Sequence, residues 1–350
     1  MDLAVDVREG EAPHRDDAPS LYLESDFYMD VDDVAALAIA LTLHTAGKID
    51  LIGFGVNADN EWGARCAEVV TYPYDVDLPV GVRGGIMEEP DRRPYDHSRT
   101  LCESYSEVPR RHPSDGTAAL RRALAAAAPG SVTVASVGFM DNLVGLLDSG
   151  PDEHSDLAGV DLIRRSVGRT VMMGGVFPSG REHNLAWRPA LTRSVLERWP
   201  GPIELVGFEA ADQVVIGRDL ADDLGQESPV ALAFRLFEEF AGRTGRPSWD
   251  PLTVYLAAFG ECELVEWSEP GRLTLDDDGT NHFHPEPGGP HKYAIPRVGP
   301  EQLARELDGW LRRLPVVSSE RADALRSMDG PTARWGALPA STRVPHAPRR

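Results

Sequence analysis

The stretch that most constrains this chain is residues 21–42, LYLESDFYMDVDDVAALAIALT. Between a strand-like apolar run and a helix-like apolar run it places five acidic residues, Glu24, Asp26, Asp30, Asp32 and Asp33. Carboxylates this close together repel one another unless a cation or protons neutralise them. The cluster therefore predicts a functional site at the end of a strand. The alternative is a solvated acidic turn in which aspartate caps the helix.

Length and charge exclude several classes of function. With 350 residues, the chain is long enough for one large α/β domain or two smaller ones, and 42% hydrophobic residues are typical of a globular protein. The net charge of −21 argues against nucleic acid or an anionic membrane as a partner. The same surplus of carboxylates fits a protein that binds a hard cation.

The cellular location is predicted from targeting signals and cysteines. The first 20 residues are acidic and lack an apolar run of signal-peptide length, and no stretch reaches the roughly 20 apolar residues of a membrane span. Cys66, Cys102 and Cys262 lie far apart and lack metal-ligand spacing, which favours free thiols in a reducing compartment. We therefore expect a cytoplasmic protein without a membrane partner.

Alternating strand and helix patterns predict the fold class. A strand at 20–25 precedes a helix that begins at Val31, and two further strands, at 50–57 and 78–82, flank a helix at 60–72. This order predicts an α/β fold with an open, doubly wound, mostly parallel sheet related to the Rossmann fold. The alternation continues with helices at 117–128, 141–149, 189–199, 229–243, 248–260 and 301–314, and with strands at 131–138, 169–177 and 202–209.

Other segments interrupt this alternation. Residues 83–114 are polar with several prolines and arginines, which predicts a long loop, and 262–296 predict short strands with a histidine-rich loop. Composition predicts a flexible leader at 1–19 and a disordered Pro- and Arg-rich tail at 315–350, with the folded part of the chain at 20–314.

Oxygen-bearing groups follow the predicted strands. In an open parallel sheet, ligands bind outside the carboxyl ends of the strands, so these groups would gather at one edge. No histidine–cysteine set has zinc spacing, and Ca²⁺ or Mg²⁺ suits an all-oxygen set better. The groups are the acidic cluster, Asn57, Asp59, Asn60, Val137, Glu182, Asn184, Glu209, Asp212 and, at the start of a later helix, Asp250.

In this arrangement the chain resembles the calcium-dependent nucleoside hydrolase family of the inosine-uridine preferring type. That family opens with a strand, an Asp-x-Asp-x-Gly segment, an Asp-Asp pair and an apolar helix. Here the corresponding residues are Glu24-Ser25-Asp26, then Asp32-Asp33 and the helix. The resemblance covers most of residues 20–310 and continues, in order, through GVNADNEWGA, VTVASVGFMDNLVGLL, VMMGGVF, REHN and SWDPLTVYLA. It implies a single catalytic domain at 20–314 with a nucleoside-hydrolase-like fold, and hydrolysis of the N-glycosidic bond of a nucleoside or related N-riboside.

The resemblance also implies a role for each matching residue. Asp26 would ligate Ca²⁺ and act as general base toward a Ca²⁺-bound water, which is the nucleophile. Asp33, the backbone carbonyl of Val137, and Asp250 would be further metal ligands. Asp32 would bind a sugar hydroxyl.

Further residues are expected around the sugar. Asn57 or Asn60 would lie near it, and Glu182 and Asn184 match the Glu-x-Asn segment with which the family holds ribose hydroxyls. The resemblance implies a small-molecule substrate, a place in nucleoside metabolism, and a homodimer or homotetramer.

Three residues depart from the family pattern. Tyr28 replaces a glycine, Glu24 replaces the first aspartate, and Trp249 replaces the histidine that helps protonate the leaving base. Tryptophan donates an N–H but cannot transfer a proton in this pH range. The reaction then needs another acid (His291, His97 or a tyrosine), aromatic stacking by Trp249, or a leaving group that requires less help.

Two other functions remain open from the sequence. Asp30-Val31-Asp32-Asp33-Val34 resembles the first motif of haloacid-dehalogenase-like phosphatases, in which Asp30 would be the nucleophile and Mg²⁺ the metal. Against it, the helix pattern begins directly after the aspartates and no convincing lysine motif follows. A nucleoside- or sugar-binding protein without catalysis is the third possibility.

Overall fold

The computed structural model describes residues 18–27, 30–58, 62–84, 97–225 and 228–313. The predicted leader, apart from its last two residues, and the predicted tail lie outside the described residues, as do Tyr28 and Asn60. No helix in these five ranges is long and apolar enough to cross a membrane. The three cysteines all fall within them and form no disulfide, as predicted.

Strands and helices alternate along most of the chain. The strands are β1 (Ser20–Ser25), β2 (Asp50–Val56), β3 (Val80–Val82), β4 (Ser114–Asp115), β5 (Val132–Ser136), β6 (Val167–Met173), β7 (Ser179–Arg181), β8 (Ile203–Val206), β9 (Val215–Ile216), β10 (Arg246–Pro247), β11 (Val265–Trp267), β12 (Gly271–Leu275), β13 (Thr280–Pro285) and β14 (His291–Pro296). The helices are α1 (Val31–Thr45), α2 (Gly63–Thr71), α3 (His97–Ser104), α4 (Gly116–Ala126), α5 (Asp141–Asp148), α6 (Gly159–Ser166), α7 (His183–Trp187), α8 (Pro189–Arg198), α9 (Phe208–Ala211), α10 (Leu220–Leu224), α11 (Pro229–Ala241), α12 (Trp249–Phe259) and α13 (Pro300–Leu311).

A mostly parallel sheet forms the centre of the molecule. Its strand order is β4-β3-β2-β1-β5-β6-β8-β14-β12-β13-β7, and β11 pairs with β14. Neighbouring strands from β4 to β14 run parallel, whereas β12, β13, β7 and β11 pair antiparallel. The predicted open, mostly parallel α/β sheet is confirmed, with an antiparallel extension at one end.

The strand order reverses between β1 and β5. Glu24 on β1 pairs with Gly55 of β2 on one side and with Ser136 of β5 on the other. The chain proceeds outward from β2 in one direction and from β5 in the opposite direction. A crevice at the carboxyl ends of β1 and β5 follows from this reversal. Asp26 and Val137 are the residues that leave these two strands.

Helices cover both faces of the sheet and produce two hydrophobic cores. Helix α1 lies inside the first core and is buried from Val31 to Leu43, as its apolar sequence predicts. Burying each large apolar side chain of this helix contributes roughly 1.5–3 kcal/mol. Asp32 and Asp33 are buried in the same helix, and burying a carboxylate carries a cost that packing does not explain.

Two segments differ from their predicted structure. The predicted loop at 83–114 contains α3, whose buried Leu101 and Cys102 belong to the first core; residues 85–96 are not described. Buried Arg65 on α2 holds the chain after α3 by donating to the Tyr105 carbonyl at 3.2 Å and the Pro109 carbonyl at 3.0 Å. The histidine-rich segment is predicted to be a loop, but His282 and His284 lie on strand β13, between β12 and β7.

Candidate active site

A cavity of about 490 Å³ opens at the carboxyl ends of the parallel strands. Its wall includes residues from the ends of β1, β5, β6 and β8 and from the first turns of α1 and α12. Eight of the residues predicted from the sequence line it: Asp26, Asp32, Asp33, Val137, Glu182, Asn184, Trp249 and Asp250. The fold therefore brings together most of the predicted site, as the reversal of strand order requires.

Three buried aspartates form the centre of this wall. Asp32 and Asp33 lie in the first turn of α1, and Asp250 lies in the first turn of α12, which packs against α1. One carboxylate oxygen from each of the three lies within 4.8 Å of the other two. The partial positive charge of a helix N-terminus favours acidic residues in these turns. That effect is too small to balance three carboxylates in one buried place.

Burial and mutual repulsion make this triad costly to ionise. Burial raises the pKa of Asp33 well above its usual value, and the charges of Asp26 and Asp32 raise it further. Burial likewise raises the pKa of Asp250, with Asp32 and Asp33 as the next causes. The Ser25 hydroxyl donates a hydrogen bond to the Asp33 carboxylate, which opposes the shift.

A divalent cation fits this donor set. Buried carboxylate oxygens that converge within a few ångströms are ligands of hard cations, and a cation removes the repulsion that raises their pKa values. Among the described residues no histidine or cysteine joins this group, so the donor set does not match a zinc site. The triad could therefore bind a metal ion.

Asp26 lies beside the triad, where the loop after β5 closes on the end of β1. A Cβ atom on Gly138 would lie 2.3 Å from the Asp26 backbone nitrogen and 2.7 Å from its Oδ1 atom. A glycine at position 138 therefore lets Val137 and Asp26 approach each other. The charge of Asp26 contributes to the raised pKa values of all three triad carboxylates.

Asn57 lies behind the cavity wall and does not line the cavity. Its amide nitrogen donates to Glu24 Oε2 at 3.2 Å, and its Oδ1 accepts from the Phe139 backbone N–H at 2.8 Å. Asn142 donates to the same Glu24 oxygen at 2.9 Å. Burial raises the pKa of Glu24 to about 7, and these amide donors act against the shift. Asn57 thus positions the loop that carries Phe139, rather than lying at the predicted sugar position.

Glu182 and Asn184 line the cavity through a short turn and helix α7. Glu182 accepts hydrogen bonds from the backbone N–H groups of Gly175, Asn184 and Leu185, at 3.2, 2.7 and 3.1 Å. The Asn184 amide nitrogen donates to the Val137 carbonyl at 3.1 Å. Glu182 therefore fixes the turn that carries Asn184. The hydrogen bond from Asn184 holds its side chain beside the Val137 carbonyl, the group predicted to bind the metal.

His291 is outside the cavity, contrary to its predicted place near the substrate. It is the first residue of β14 and pairs with Ile203, the first residue of the parallel strand β8. That position is the amino end of the sheet, opposite the acidic triad. Its Nδ1 atom accepts a hydrogen bond from the Leu273 backbone N–H at 2.8 Å. Burial lowers the pKa of His291 to about 4. His97 does not line the cavity either.

Arg246 is a cavity residue that the sequence pattern does not indicate. Its guanidinium pairs with Asp30 and lies 3.6 Å from Asp32. Burial alone would raise the pKa of Asp30, but the charge of Arg246 and its hydrogen bond outweigh burial and lower it. The guanidinium carbon also lies 4.9 Å from the Trp249 ring centroid and 5.3 Å from that of Phe237. A lone arginine 216 positions from its partner carries no signal that sequence spacing could detect.

Aromatic side chains form the rest of the wall. Trp249 donates its indole N–H to the Phe208 carbonyl at 2.8 Å, and the Phe208 ring stacks on Trp249 with 5.1 Å between centroids. Elsewhere on the wall, Phe139 stacks on Trp187 at 5.1 Å and lies 5.8 Å from His183. His183 is the one histidine among the described residues that lines the cavity. A cavity with carboxylates in the centre and aromatic rings around them can hold a sugar joined to a flat ring.

Known proteins resemble this chain in structure rather than in sequence. No protein-family model matches this chain, and no curated protein matches it significantly in sequence. The chain is similar to the inosine-uridine preferring nucleoside hydrolase from Bacillus anthracis, at 16% identity and a TM-score of 0.63 over 84% of this chain and 99% of that one. It is also similar to the purine-preferring ribonucleoside hydrolase from Gardnerella vaginalis, at 17% identity and a TM-score of 0.65 over 85% and 100%.

A third similar structure was solved with a bound ligand. The type III effector protein XopQ complexed with adenosine diphosphate ribose is 17% identical, with a TM-score of 0.59 over 85% of this chain and 94% of that one. At these identities the likeness establishes the fold. The chain has the nucleoside-hydrolase fold, and the predicted fold class is confirmed.

Proposed function

We propose that this protein is a calcium-dependent N-ribosyl hydrolase that cleaves the N-glycosidic bond of a nucleoside or related N-riboside. The observation that carries the proposal is the buried triad of Asp32, Asp33 and Asp250 in the crevice of a nucleoside-hydrolase fold. Support comes from the structural neighbours, two of which are nucleoside hydrolases, while a third was solved in complex with a ribose-containing ligand.

The metal site would be built from oxygen atoms already gathered in the cavity wall. Asp33 and Asp250 would hold the ion together with Asp26 and the Val137 carbonyl, and Asp32 would serve both the ion and a sugar hydroxyl. Ca²⁺ suits the set better than Mg²⁺ because it accepts six to eight oxygen ligands in flexible geometry, which leaves places for sugar hydroxyls. When bound, the ion supplies positive charge that lowers the pKa of water and balances the carboxylates.

Asp26 would act as the general base. It is half-buried at the carboxyl end of β1, beside the triad and facing the cavity. It would accept a proton from the water that attacks the anomeric carbon while the bond to the base nitrogen breaks. The sugar then carries positive charge in an oxocarbenium-like transition state, and the surrounding carboxylates stabilise that charge. The base leaves with the electron pair of that bond and takes up a proton from solvent, and Asp26 then releases its proton to solvent. The products are ribose and the free base.

Asn184 would hold the sugar by its side-chain oxygen. Its amide nitrogen is occupied by the Val137 carbonyl, so Oδ1 is the atom that would accept a hydrogen bond from a ribose hydroxyl. Glu182 would act mainly by holding the turn, since its two oxygens already accept three backbone N–H bonds. These bonds explain why a buried carboxylate is kept here beside the sugar position.

The phosphatase alternative gains no support from the placement of Asp30. A nucleophilic aspartate needs an accessible oxygen, whereas Asp30 pairs with Arg246 immediately before α1 begins. The proposal further includes a small-molecule substrate, a homodimer or homotetramer, and a cytoplasmic location in nucleoside metabolism. The substrate class, the assembly and the metabolic role rest on the resemblance, and the location rests on the three free cysteines.

A substrate panel tests the proposal. Inosine, adenosine, guanosine, uridine, cytidine and nicotinamide riboside are incubated with the protein in CaCl₂ or in EDTA, and free ribose is measured. The proposal predicts ribose release from at least one nucleoside in CaCl₂ and its loss in EDTA. Phosphate release from phosphomonoesters with Mg²⁺ would support the phosphatase instead, and tight nucleoside binding without any ribose release would support a binding protein.

A further inference from the structure

We propose that Phe208 is the side chain on which the leaving group of the substrate stacks, and that Trp249 and Arg246 hold Phe208 in place. The inference rests on the proposed function in one respect: the substrate is a ribose joined to a flat aromatic ring. It assigns the contact to Phe208 rather than to Trp249, the residue that aligns with the family's leaving-group position.

The distribution of exposed apolar rings points to the cavity. Within the described residues, four large hydrophobic side chains are exposed: Trp187 at 45%, Phe208 at 42%, Phe240 at 55% and Phe259 at 38%. Phe208 and Phe240 line the cavity, and Trp187 stacks on Phe139, which also lines it. Exposed apolar surface grouped around a cavity indicates an apolar part of a ligand.

The backbone of Phe208 is fixed on both sides although its ring is exposed. Its N–H donates to the Gly175 carbonyl at 2.8 Å, and its carbonyl accepts from the Trp249 indole N–H at 2.8 Å. Gly207 adjoins the ring of Phe177 so closely that a Cβ there would lie 2.6 Å from it. A side chain whose backbone is held this firmly loses little freedom when a ligand stacks on it.

Trp249 is in a different situation. Its ring packs against Phe208 and against the Arg246 guanidinium, and its N–H is already used. Arg246 is itself held by Asp30 and by Phe237. The three groups form a series of Arg246, Trp249 and Phe208, in which Phe208 is the exposed member. The leaving group would extend this series by stacking on the Phe208 ring.

The chemistry of the stack defines the substrate class. Offset stacking of two aromatic rings favours planar heterocycles, and loss of one such contact weakens binding by about tenfold. Ribosides with an aliphatic or small leaving group would gain nothing from Phe208. The sugar contacts lie on the carboxylate side of the cavity and do not involve this ring.

Substitutions at Phe208 test the inference with a matched control. Phe208→Leu removes the aromatic ring and keeps an apolar side chain, Phe208→Trp keeps an aromatic ring, and Phe259→Leu changes an equally exposed phenylalanine outside the cavity. Steady-state kinetics would be measured with inosine and uridine in CaCl₂. Calorimetric binding of hypoxanthine, uracil and ribose is the second readout, and thermal unfolding of each variant verifies folding.

We expect Phe208→Leu to raise KM about tenfold for the preferred nucleoside and to weaken binding of its free base by a similar factor, with ribose binding unchanged. Phe208→Trp and Phe259→Leu should stay within about twofold of the wild type. Unchanged KM and base affinity in Phe208→Leu would overturn the inference, as would an equal loss of ribose affinity. If the wild type releases no ribose yet binds bases in a Phe208-dependent way, the proposed function fails, and the stacking of a flat base on Phe208 stands as a binding contact. Absence of both ribose release and base binding overturns both.

Discussion

Arg246 and Asp30 form an ion pair that joins the acidic segment to the strand preceding α12. Asp30 is the residue before α1, and Arg246 lies on β10, 216 positions later. Helix α1 carries Asp32 and Asp33, and α12 carries Asp250, so this pair ties together the two segments that build the triad. Asp30 has no role in the family resemblance, and the ion pair gives it one.

Replacing Arg246 with methionine should affect stability and metal affinity in opposite directions. The variant leaves Asp30 without its partner, and since the pair is partly exposed we expect the free energy of unfolding without metal to fall by about 1–2 kcal/mol. Loss of a positive charge beside Asp32 should strengthen Ca²⁺ binding severalfold. Urea unfolding in EDTA and calorimetric titration with CaCl₂ measure the two effects.

Asp30→Asn and the double variant separate the pair from other effects of Arg246. A coupling between the two substitutions in unfolding free energy is expected, since they remove the same interaction. Additive effects on unfolding would contradict the ion pair, and weaker Ca²⁺ binding in Arg246→Met would contradict the electrostatic account of the triad.

Asp33→Asn should stabilise the metal-free protein while removing its response to calcium. The substitution keeps the shape of the side chain and removes one of three mutually repelling buried carboxylates, so the unfolding free energy in EDTA should rise by about 1 kcal/mol. Ca²⁺ should raise the melting temperature of the wild type by binding the native state, and this rise should disappear in the variant. A calcium-dependent rise of normal size in Asp33→Asn would show that the triad is not the metal site.

Gly138→Ala should be strongly destabilising because it forces Asp26 away from the loop after β5. The added Cβ would meet the Asp26 backbone nitrogen at 2.3 Å, and backbone atoms cannot yield as a flexible side chain can. We expect a loss of about 1–3 kcal/mol in unfolding free energy. Gly309→Ala is the control: this exposed glycine in α13 has no atom within 4 Å of the added Cβ, so alanine should stabilise the helix by up to about 1 kcal/mol. Equal effects of the two substitutions would refute the close contact.

His291 should make the stability of the protein depend on pH. Its Nδ1 atom accepts a hydrogen bond from the Leu273 N–H. Protonation of Nδ1 would place a second N–H donor opposite that of Leu273 and break this hydrogen bond. The pKa of His291 is about 4 in the folded protein and about 6.5 in an unfolded chain. Below pH 6.5 the unfolded state therefore binds a proton that the native state does not, and stability falls as the pH decreases from about 6.5 to about 4. The full loss is up to about 3 kcal/mol.

His291→Asn isolates this effect, because the asparagine Oδ1 atom can accept the same N–H without titrating. The difference in unfolding free energy between wild type and variant should change with pH between 6.5 and 4 and stay constant above pH 7. A constant difference over the whole range would mean that His291 does not titrate on unfolding.

Much of the fold could be predicted from the sequence because its signals are local. The strand at 20–25, the helix from Val31 and the strand at 50–57 correspond closely to β1, α1 and β2. The sequence does not predict helix α3, which lies in a segment rich in proline and arginine and has only a short apolar face. This helix gains its stability from packing against α2. Tertiary contact, rather than local pattern, forms that helix.

The candidate site likewise contains residues that local sequence signals predict and residues that depend on tertiary contacts. Oxygen-bearing groups that follow strands reach the cavity because parallel strands end at one edge, and this rule correctly brings Asp26 and Val137 to one cavity. Arg246 and Phe208 were missed because their significance depends on partners distant in sequence. Asn57 also follows a strand, but its side chain turns inward to Glu24, and sequence carries no information on that direction.

The central claim is that water cleaves an N-glycosidic bond at the acidic cavity with Asp26 as base. The most direct measurement is the initial rate of ribose release in CaCl₂ from the preferred nucleoside by wild type, Asp26→Asn and Asp161→Asn. Asp161 is an exposed aspartate on α6 that does not line the cavity. We predict that Asp26→Asn lowers kcat by at least about a hundredfold with Ca²⁺ still bound, while Asp161→Asn matches the wild type. Wild-type turnover by Asp26→Asn would contradict the account.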